Sequence, residues 1–280
     1  MVYGFYPSTV LIWTTMETGK TTARNSHYTG IHMKKYKPLV QATEAEHAAM
    51  VRDIFSTITS GYDVMNRLVS IRRDVAWRRF AIKKISLSRK KLFLDVGTGT
   101  GDLAIEVAVH HPHACVVAFD LSGKMIDFAR KKIEKRRLSG KIQLARADAL
   151  AIPFRSNTFD AAGIAFGIRN IPDRIAVLKE MMRVIVPGGE IAVLEMGLPE
   201  APLLRRPYLV YLNRVIPLVA SLFSQNPDAY YYLGDSIANF PRPKDFLELM
   251  SDAGLENGRF YPLFQGIAHL FMACKPKRGI

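Results

Sequence analysis

Residues 94–102 of this 280-residue chain read Leu94-Asp95-Val96-Gly97-Thr98-Gly99-Thr100-Gly101-Asp102. The apolar residues between Lys91 and Val96 predict a buried strand, and the spacing from Gly101 to Val109 predicts a helix. Three alternating glycines between them allow the backbone to turn tightly and to approach a ligand closely. A glycine-rich turn that joins a strand to a helix predicts a ligand site at the carboxyl end of that strand.

Strand and helix patterns alternate along the chain after this loop. Strands are predicted at 115–119, 142–145, 159–166 and 189–196, and helices at 122–137 and 173–185. Such alternation is typical of parallel βαβ units with helices on both faces of a sheet. Two further runs, Arg259–Leu263 and Ile267–Cys274, are only a few residues apart and predict an antiparallel hairpin. The predicted fold class is therefore α/β, with a doubly wound, mostly parallel, seven-stranded, Rossmann-like sheet that ends in an antiparallel C-terminal hairpin.

The segments outside this alternation suggest two parts. Residues 1–40 look unlike the rest of the chain, and two explanations stay open: a disordered extension, or a start codon placed too early with Met33 as the true beginning. A single domain is expected at 41–280. It includes a helical cap at about 44–86, where apolar residues recur at three- and four-residue spacing, and a helical, proline-containing insertion at about 200–240.

Composition limits the partners and the compartment. The formal net charge of +14 fits nucleic acid, an anionic membrane surface or an acidic ligand. The basic runs lack the interleaved aromatic residues of single-strand-binding platforms, so we expect no nucleic acid and rank a membrane surface higher. The two cysteines form no Cys-x-x-Cys pair, which indicates neither a metal site nor a disulfide framework. We expect a cytoplasmic protein, with peripheral contact to the inner face of the membrane as an open question.

The residue after the third glycine distinguishes two classes of ligand. A dinucleotide-binding loop of the pattern G-x-G-x-x-G needs glycine at position 102, where this chain has Asp102. A carboxylate at a helix N-terminus is stabilised by the helix dipole, but it repels a pyrophosphate. S-adenosylmethionine has no phosphate and carries a sulfonium and an ammonium, so Asp95 and Asp102 suit it. The loop therefore favours S-adenosylmethionine over NAD.

Two more aspartates follow later strands. Asp120 ends the second strand, where a carboxylate can accept both hydroxyls of a ribose. Its alternative role, capping the next helix, suits Ser122 better. Asp148 follows the third strand and is predicted to take the adenine amino group, with Ala149 and Leu150 as an apolar wall. The alternative for Asp148 is an exposed turn residue.

Further segments resemble a known family between Val51 and Lys275. They are Phe55-Ser56, Tyr62-Asp63-Val64-Met65-Asn66, Trp77-Arg78-Arg79-Phe80, Gly99-Thr100-Gly101-Asp102-Leu103, Ala151-Ile152-Pro153-Phe154, Asn157-Thr158-Phe159-Asp160, Phe166-Gly167-Ile168-Arg169-Asn170, Arg183-Val184, Pro187-Gly188-Gly189, Tyr232-Leu233, Ser236-Ile237 and Phe240-Pro241. In these segments the chain resembles the ubiquinone/menaquinone biosynthesis C-methyltransferase family. The glycine loop alone is typical of the whole superfamily of class I S-adenosylmethionine-dependent methyltransferases. The Tyr-Asp-x-Met-Asn and Phe-Gly-Ile-Arg-Asn segments together are much more specific.

The resemblance implies an activity, a cofactor and a set of site residues. The implied activity is S-adenosylmethionine-dependent C-methylation of a polyprenyl quinol ring, demethylmenaquinol to menaquinol, the methoxy-benzoquinol step of ubiquinone biosynthesis, or both. The family's cofactor contacts map onto Thr100, Asp120, Asp148 and Ala149. Taken with the loop and the strand ends, the predicted cofactor-binding residues are Asp95, Gly97, Gly99, Thr100, Gly101, Asp120, Leu121, Asp148, Ala149 and Ala165.

The chain also departs from the family pattern. Asp74 replaces the histidine three residues before Trp77, and Ala165 replaces the serine before Phe-Gly. Val186 replaces a lysine, and Glu195-Met196-Gly197 replaces Glu-x-Ser. In the family the histidine and the serine lie close to the cofactor or acceptor, so the choice between a naphthoquinone and a benzoquinone head group stays open.

Carbon methylation of a quinol requires an electron-rich ring, which the loss of a phenolic proton provides. Arg169, at the end of the fourth strand, is the predicted partner of the resulting aryloxide, because a guanidinium binds anions well but is a poor base. The proton is predicted to leave through Tyr62, Asp63 or a water that they hold. The alternatives are structural: a salt bridge that fixes the loop for Arg169, and helix packing and capping for Tyr62 and Asp63.

Several other functions stay open at this level. They are methylation of another small aromatic, lipid or RNA acceptor, a non-catalytic S-adenosylmethionine-binding subunit, and an NAD-linked oxidoreductase, which Asp102 disfavours. The apolar segment Leu203–Phe223, with interspersed arginines, is either packed as a lid or lies at a membrane interface and admits a polyprenyl tail. The run Tyr230-Tyr231-Tyr232 either lines the acceptor pocket or packs in the core.

Overall fold

The computed structural model describes residues 43–57, 67, 70, 73–87, 91–221 and 228–277, and the structural statements below concern these residues. All of them belong to one compact unit, Met33–Ile280. The predicted extension at 1–40 lies outside the described residues. The division of the chain into an extension and one domain therefore stays a prediction.

A single seven-stranded sheet organises the domain. Its strands are β1 Leu92–Val96, β2 Cys115–Asp120, β3 Ile142–Arg146, β4 Phe159–Ala165, β5 Ile185–Met196, β6 Glu256–Leu263 and β7 Ala268–Cys274. Their order is β3-β2-β1-β4-β5-β7-β6. The pairs β1·β2, β1·β4, β2·β3 and β4·β5 are parallel, whereas β7 pairs antiparallel with both β5 and β6. The predicted fold class is confirmed.

Helices cover both faces of this sheet. They are α1 Glu44–Thr57, α2 Asp74–Lys84, α3 Asp102–His110, α4 Gly123–Lys135, α5 Arg174–Val184, α6 Pro202–Val210, α7 Ile216–Ser221, α8 Asp228–Ala238 and α9 Pro243–Asp252, with a 3₁₀ turn at Ile168–Asn170 and a π-helical turn at Tyr211–Val215. Ser122 caps α4 by accepting the Met125 N–H, and Asp173 caps α5 by accepting the Ala176 N–H. In the part of the chain that the structure describes, no helix is long and apolar enough to cross a membrane.

Successive residues of the central strands point into two different cores. Phe93 packs in one buried cluster with α2 and α3, and its neighbour Leu94 packs in the other with α5 and α9, as the period of two in a strand requires. Gly163 on β4 makes room for Phe93, because a Cβ atom at that position would lie 2.8 Å from Phe93 Cζ. The sheet is therefore buried on both faces, which explains why its strands are continuous apolar runs.

The start of the fifth strand differs from the prediction. The sequence placed this start at Gly189, with residues up to 185 in a helix, but β5 begins at Ile185. The strand passes through Pro187-Gly188-Gly189 in a bulge, where its register with β4 shifts between Phe159 and Ala161. A Cβ atom at position 189 would lie 2.6 Å from the Asp160 carbonyl oxygen, so glycine is needed for this close approach. The glycines that suggested a loop are the residues that allow the bulge.

Candidate active site

The predicted ligand site lies at the carboxyl ends of the central strands. Asp95, Asp120 and Ala165 are in the last two residues of β1, β2 and β4. Asp148 and Ala149 follow the end of β3 directly. Because β2 lies on one side of β1 and β4 on the other, the strand order reverses here, and such a switch point forms the ligand crevice of doubly wound sheets.

The glycine loop is bent over the end of β1 and tied to β2. Gly97, Gly99 and Gly101 have φ angles of +61°, +56° and +86°, which side chains other than glycine rarely adopt. Thr98 N–H donates to the Phe119 carbonyl at 2.9 Å, and Gly99 N–H donates to Asp120 Oδ2 at 2.9 Å. At Gly101 an added Cβ atom would lie 3.2 Å from Ala129 Cβ of α4. The loop therefore presents backbone rather than side chains to the crevice.

Asp95 is a buried carboxylate beneath this loop. Its Oδ2 atom accepts the Thr98 hydroxyl at 2.6 Å and the Ala104 N–H at 3.0 Å. Its Oδ1 atom is buried and has no hydrogen-bond partner within the described residues. Burial raises the pKa of Asp95 to about 7, against the lowering effect of these two hydrogen bonds. A buried acceptor without a donor fits a cationic ligand such as the ammonium of S-adenosylmethionine.

Asp120 combines a loop contact with spare acceptor capacity. Oδ2 accepts Gly99 N–H and Oδ1 accepts Ser122 N–H, each at 2.9 Å. Burial raises the pKa of this carboxyl group, and the backbone hydrogen bonds oppose that rise. A carboxylate has about four lone-pair sites, so both oxygens can still accept the hydroxyls of a ribose.

The predicted adenine side of the crevice is more exposed. Leu121 and Leu150, which follow β2 and β3, are both exposed large apolar residues. Asp148 is exposed, and its Oδ1 atom accepts the Leu150 N–H at 2.9 Å, so this carboxylate also shapes its own turn. Its contact with an adenine amino group stays a prediction, as do the contacts of Leu121 and Ala149.

Asp102 has a different environment from the one that the sequence suggested. Its Oδ1 atom accepts Lys132 Nζ at 2.8 Å, and Arg78 Nη2 lies 3.9 Å from its Oδ2 atom. Lys132 Nζ also donates to the Thr100 hydroxyl at 2.9 Å. These cations compensate the negative charge, so Asp102 argues less strongly against a phosphate-bearing ligand than its position alone implies.

Arg169 lies in the 3₁₀ turn after β4 and is buried against the end of β5. Its Nη1 atom donates to Glu195 Oε1 at 2.5 Å and to the Phe166 carbonyl at 2.7 Å, and its N–H donates to Glu195 Oε2 at 3.2 Å. Arg169 is 4 % exposed and Glu195 is 0 % exposed. The salt bridge that was the structural alternative for Arg169 is therefore present, beside the end of β4.

Other buried polar groups surround this pair. Tyr232 of α8 donates to Asn170 Oδ1 at 2.9 Å and lies 3.0 Å from His47 Nε2 of α1. The Tyr208 hydroxyl of α6 is buried without a hydrogen-bond partner among the described residues. Burial raises the pKa of Tyr208, and the positive charge of Arg169 acts against this rise. We call these groups the polar cluster: Arg169, Asn170, Glu195, Tyr208, Tyr232 and His47.

The structure and the sequence agree only in part on this second site. The sequence predicted Arg169 and treated Tyr232 as either a pocket residue or core. It assigned no role to His47, Asn170, Glu195 or Tyr208, although Asn170 and Glu195 stand in the segments used for the resemblance. Tyr62 and Asp63 lie outside the described residues. Within those residues, no group of three or more His, Cys, Asp or Glu side chains could hold a metal ion.

The strand order, the glycine loop after β1 and the carboxylates that end β1 and β2 define a class I S-adenosylmethionine-dependent methyltransferase. The sequence model of the ubiE/COQ5 methyltransferase family matches residues 41–275. The chain belongs to the ubiE/COQ5 methyltransferase family.

Individual relatives agree with this assignment. The ubiquinone/menaquinone biosynthesis C-methyltransferase UbiE of Geobacter sp. (strain M21) is 41% identical over 232 residues, which are 82% of this chain and 98% of that protein. The demethylmenaquinone methyltransferase of Thermus thermophilus is 40% identical over 80% of this chain and 100% of that protein. A crystal structure of a SAM-dependent methyltransferase from Aquifex aeolicus shares the fold with a TM-score of 0.55 at 19% identity, over 76% of this chain and 97% of that chain.

Proposed function

We propose that this chain transfers the methyl group of S-adenosylmethionine to a ring carbon of a polyprenyl quinol, either demethylmenaquinol or the methoxy-benzoquinol of ubiquinone biosynthesis. The observation that carries the proposal is the polar cluster, which lies beside the donor crevice at the ends of β4 and β5. The names of the two relatives support the same acceptor class.

The chain's own residues have separate tasks in this reaction. When bound, S-adenosylmethionine supplies an electrophilic methyl group on a sulfonium sulfur. Arg169 stabilises the aryloxide that forms on the quinol, since its guanidinium stays charged at every physiological pH. Glu195 holds that guanidinium in place and partly neutralises it. The Tyr208 hydroxyl, which stays protonated because burial raises its pKa, donates a hydrogen bond to a quinol oxygen.

The route of the phenolic proton is the remaining task. Tyr62, Asp63 or a water that they hold stays the proposed acceptor. Tyr232 is a poor base because burial raises its pKa. His47, whose pKa is lowered by burial and by the charge of Arg174, is neutral near pH 7 and can take a proton through Tyr232.

A direct assay tests the proposed function. Purified protein is incubated with methyl-labelled S-adenosylmethionine and either demethylmenaquinol or the methoxy-benzoquinol, and the position of the label is found by mass spectrometry. We expect label on a ring carbon of at least one acceptor. Donor binding without transfer to either quinol would instead favour another acceptor or a non-catalytic subunit.

The affinity for the donor product should depend on pH through Asp95. Its carboxyl group has a pKa of about 7 in the unliganded protein, and the ligand's ammonium favours the ionised form. The affinity for S-adenosylhomocysteine should therefore rise up to about tenfold per pH unit below pH 7 and level off above it. Because the folded-state pKa is raised, the contribution of Asp95 to folding stability is lost as the pH rises through about 7. Calorimetry across this range measures the affinity, and Asp95→Asn should flatten its profile.

We also propose that α6 and α7 meet the cytoplasmic face of an anionic membrane, where the polyprenyl tail resides. Leu203 is 84 % exposed and Leu218 is 67 % exposed, and Arg205 and Arg206 on α6 are exposed beside them. On the same helix, Tyr208 is buried in the polar cluster. One helix thus connects an exposed apolar and basic surface with the proposed quinol site.

The membrane contact predicts a specific flotation result. The protein should float with vesicles that contain anionic phospholipid, and Leu203→Ser with Leu218→Ser should weaken the association about tenfold or more, because each leucine contributes about 1.5–3 kcal/mol when buried. Val109→Ser, which alters a similarly exposed apolar residue of α3, is the matched control and should have no effect. Equal flotation of all three proteins would count against this surface.

A further inference from the structure

Arg78 of α2 is a buried arginine at the rim of the glycine loop. It is 5 % exposed, and its Nη1 atom donates to Asp74 Oδ2 at 2.7 Å. Asp74 is held in turn by the Ser70 hydroxyl, which donates to its Oδ1 atom at 3.0 Å. Asp74 is one of the departures from the family pattern, and the structure gives it a clear purpose: it fixes one corner of the Arg78 guanidinium.

The other edge of this guanidinium has donors to spare. Nε is buried and has no hydrogen-bond partner among the described residues. Nη2 lies 3.9 Å from Asp102 Oδ2, beyond hydrogen-bond distance, while Lys132 binds the other oxygen of Asp102 at 2.8 Å. A buried guanidinium N–H without an acceptor is costly. The edge formed by Nε and Nη2 therefore has the geometry of a fork for a carboxylate.

The position of Arg78 matches one end of the donor. The Arg78 guanidinium lies 5.1 Å from the ring centroid of Phe166, which directly follows β4. It is also close enough to the end of β1 for its charge to lower the pKa of Asp95. If the adenine is at β3 and the ribose at β2, the amino-acid end of the donor continues across β1 towards β4, since adjacent strands are about 4.8 Å apart. That end carries the donor's one carboxylate.

We propose that Arg78 binds the α-carboxylate of S-adenosylmethionine through its Nε–Nη2 edge, with Asp74 as the positioning residue. The ammonium on the same carbon then faces Asp95 Oδ1, which also lacks a partner among the described residues. An acid and a base at the end of β1 thus match the two charges of an amino-acid zwitterion. The proposal rests on the use of S-adenosylmethionine as the donor.

Removing the ligand's carboxylate and the arginine separately tests this contact. Calorimetry compares S-adenosylhomocysteine with its decarboxylated analogue on the wild type and on Arg78→Gln. We expect Arg78→Gln to weaken S-adenosylhomocysteine about thirtyfold or more and to change the affinity of the decarboxylated analogue less than about threefold. Arg79→Gln is the matched control, because Arg79 is the neighbouring arginine on the same helix and its exposed side chain pairs with Glu106.

Arg78→Gln leaves Asp74 buried without its cation, so a second variant guards against misfolding. Asp74→Asn with Arg78→Gln removes both charges and should show the same selective loss. Equal weakening of both ligands, or no weakening of either, would overturn the role of Arg78. If the wild type bound neither ligand, the use of this donor would fail instead, so the two failures are distinguishable.

Discussion

Glu195→Ala is expected to lower the free energy of unfolding by about 3–5 kcal/mol, the largest stability effect that we expect from a single substitution. The substitution would leave the guanidinium of Arg169 buried without its anion, which is the costly case for a buried ion pair. It would also remove the acceptor of the Met196 N–H at 2.8 Å. Urea denaturation at neutral pH measures the effect.

Two comparisons separate stability from chemistry in this pair. Replacing both residues, Arg169→Met with Glu195→Leu, should recover most of the lost stability, because apolar side chains can replace a buried ion pair. That double variant should still fail to methylate a quinol, and Arg169→Lys should be slow because it loses the fork geometry. Methylation at the wild-type rate by either variant would refute the assignment of Arg169 to the aryloxide. Asp127→Ala, which breaks an exposed pair with Arg130, should change stability by less than about 0.5 kcal/mol.

The central sheet was predictable because its information is local. Buried strands that alternate with helices leave a pattern in the sequence, and the three glycines with positive φ angles mark where the first strand turns. The positions of Asp95 and Asp120 then follow from the topology, since both end neighbouring parallel strands. Sequence reasoning reached the donor crevice for this reason.

The polar cluster was predictable only in part because its contacts join distant segments. Arg169 and Glu195 are 26 residues apart, Asn170 and Tyr232 are 62 apart, and His47 and Tyr232 are 185 apart. No periodicity connects such residues, and the buried tyrosines of α6 and α8 look like core residues in the sequence. Asp74 shows the same limit: as a departure from the family pattern it raised doubt, whereas its contact with Arg78 gives it a structural reason.

Asp120→Ala should cause the largest loss of donor affinity, about a hundredfold or more for S-adenosylhomocysteine. Hydrogen bonds to a charged group contribute about 1.5–3 kcal/mol each, and the substitution removes the proposed pair to the ribose. It also removes the acceptor of the Gly99 N–H, so the glycine loop loses its tie to β2. Calorimetry measures the affinity, and Asp127→Ala on the exposed face of α4 is the control that should leave it unchanged.

The ribose contact and the loop contact can be distinguished with an analogue of S-adenosylhomocysteine that lacks the 2′-hydroxyl. The wild type should bind this analogue more weakly than the complete ligand, whereas Asp120→Ala should bind the two equally, because the carboxylate that recognises the hydroxyl is gone. If Asp120→Ala still preferred the complete ligand by the wild-type ratio, another group would recognise the ribose. The role of Asp120 would then be limited to holding Gly99 and Ser122 in place, which its two backbone hydrogen bonds already accomplish.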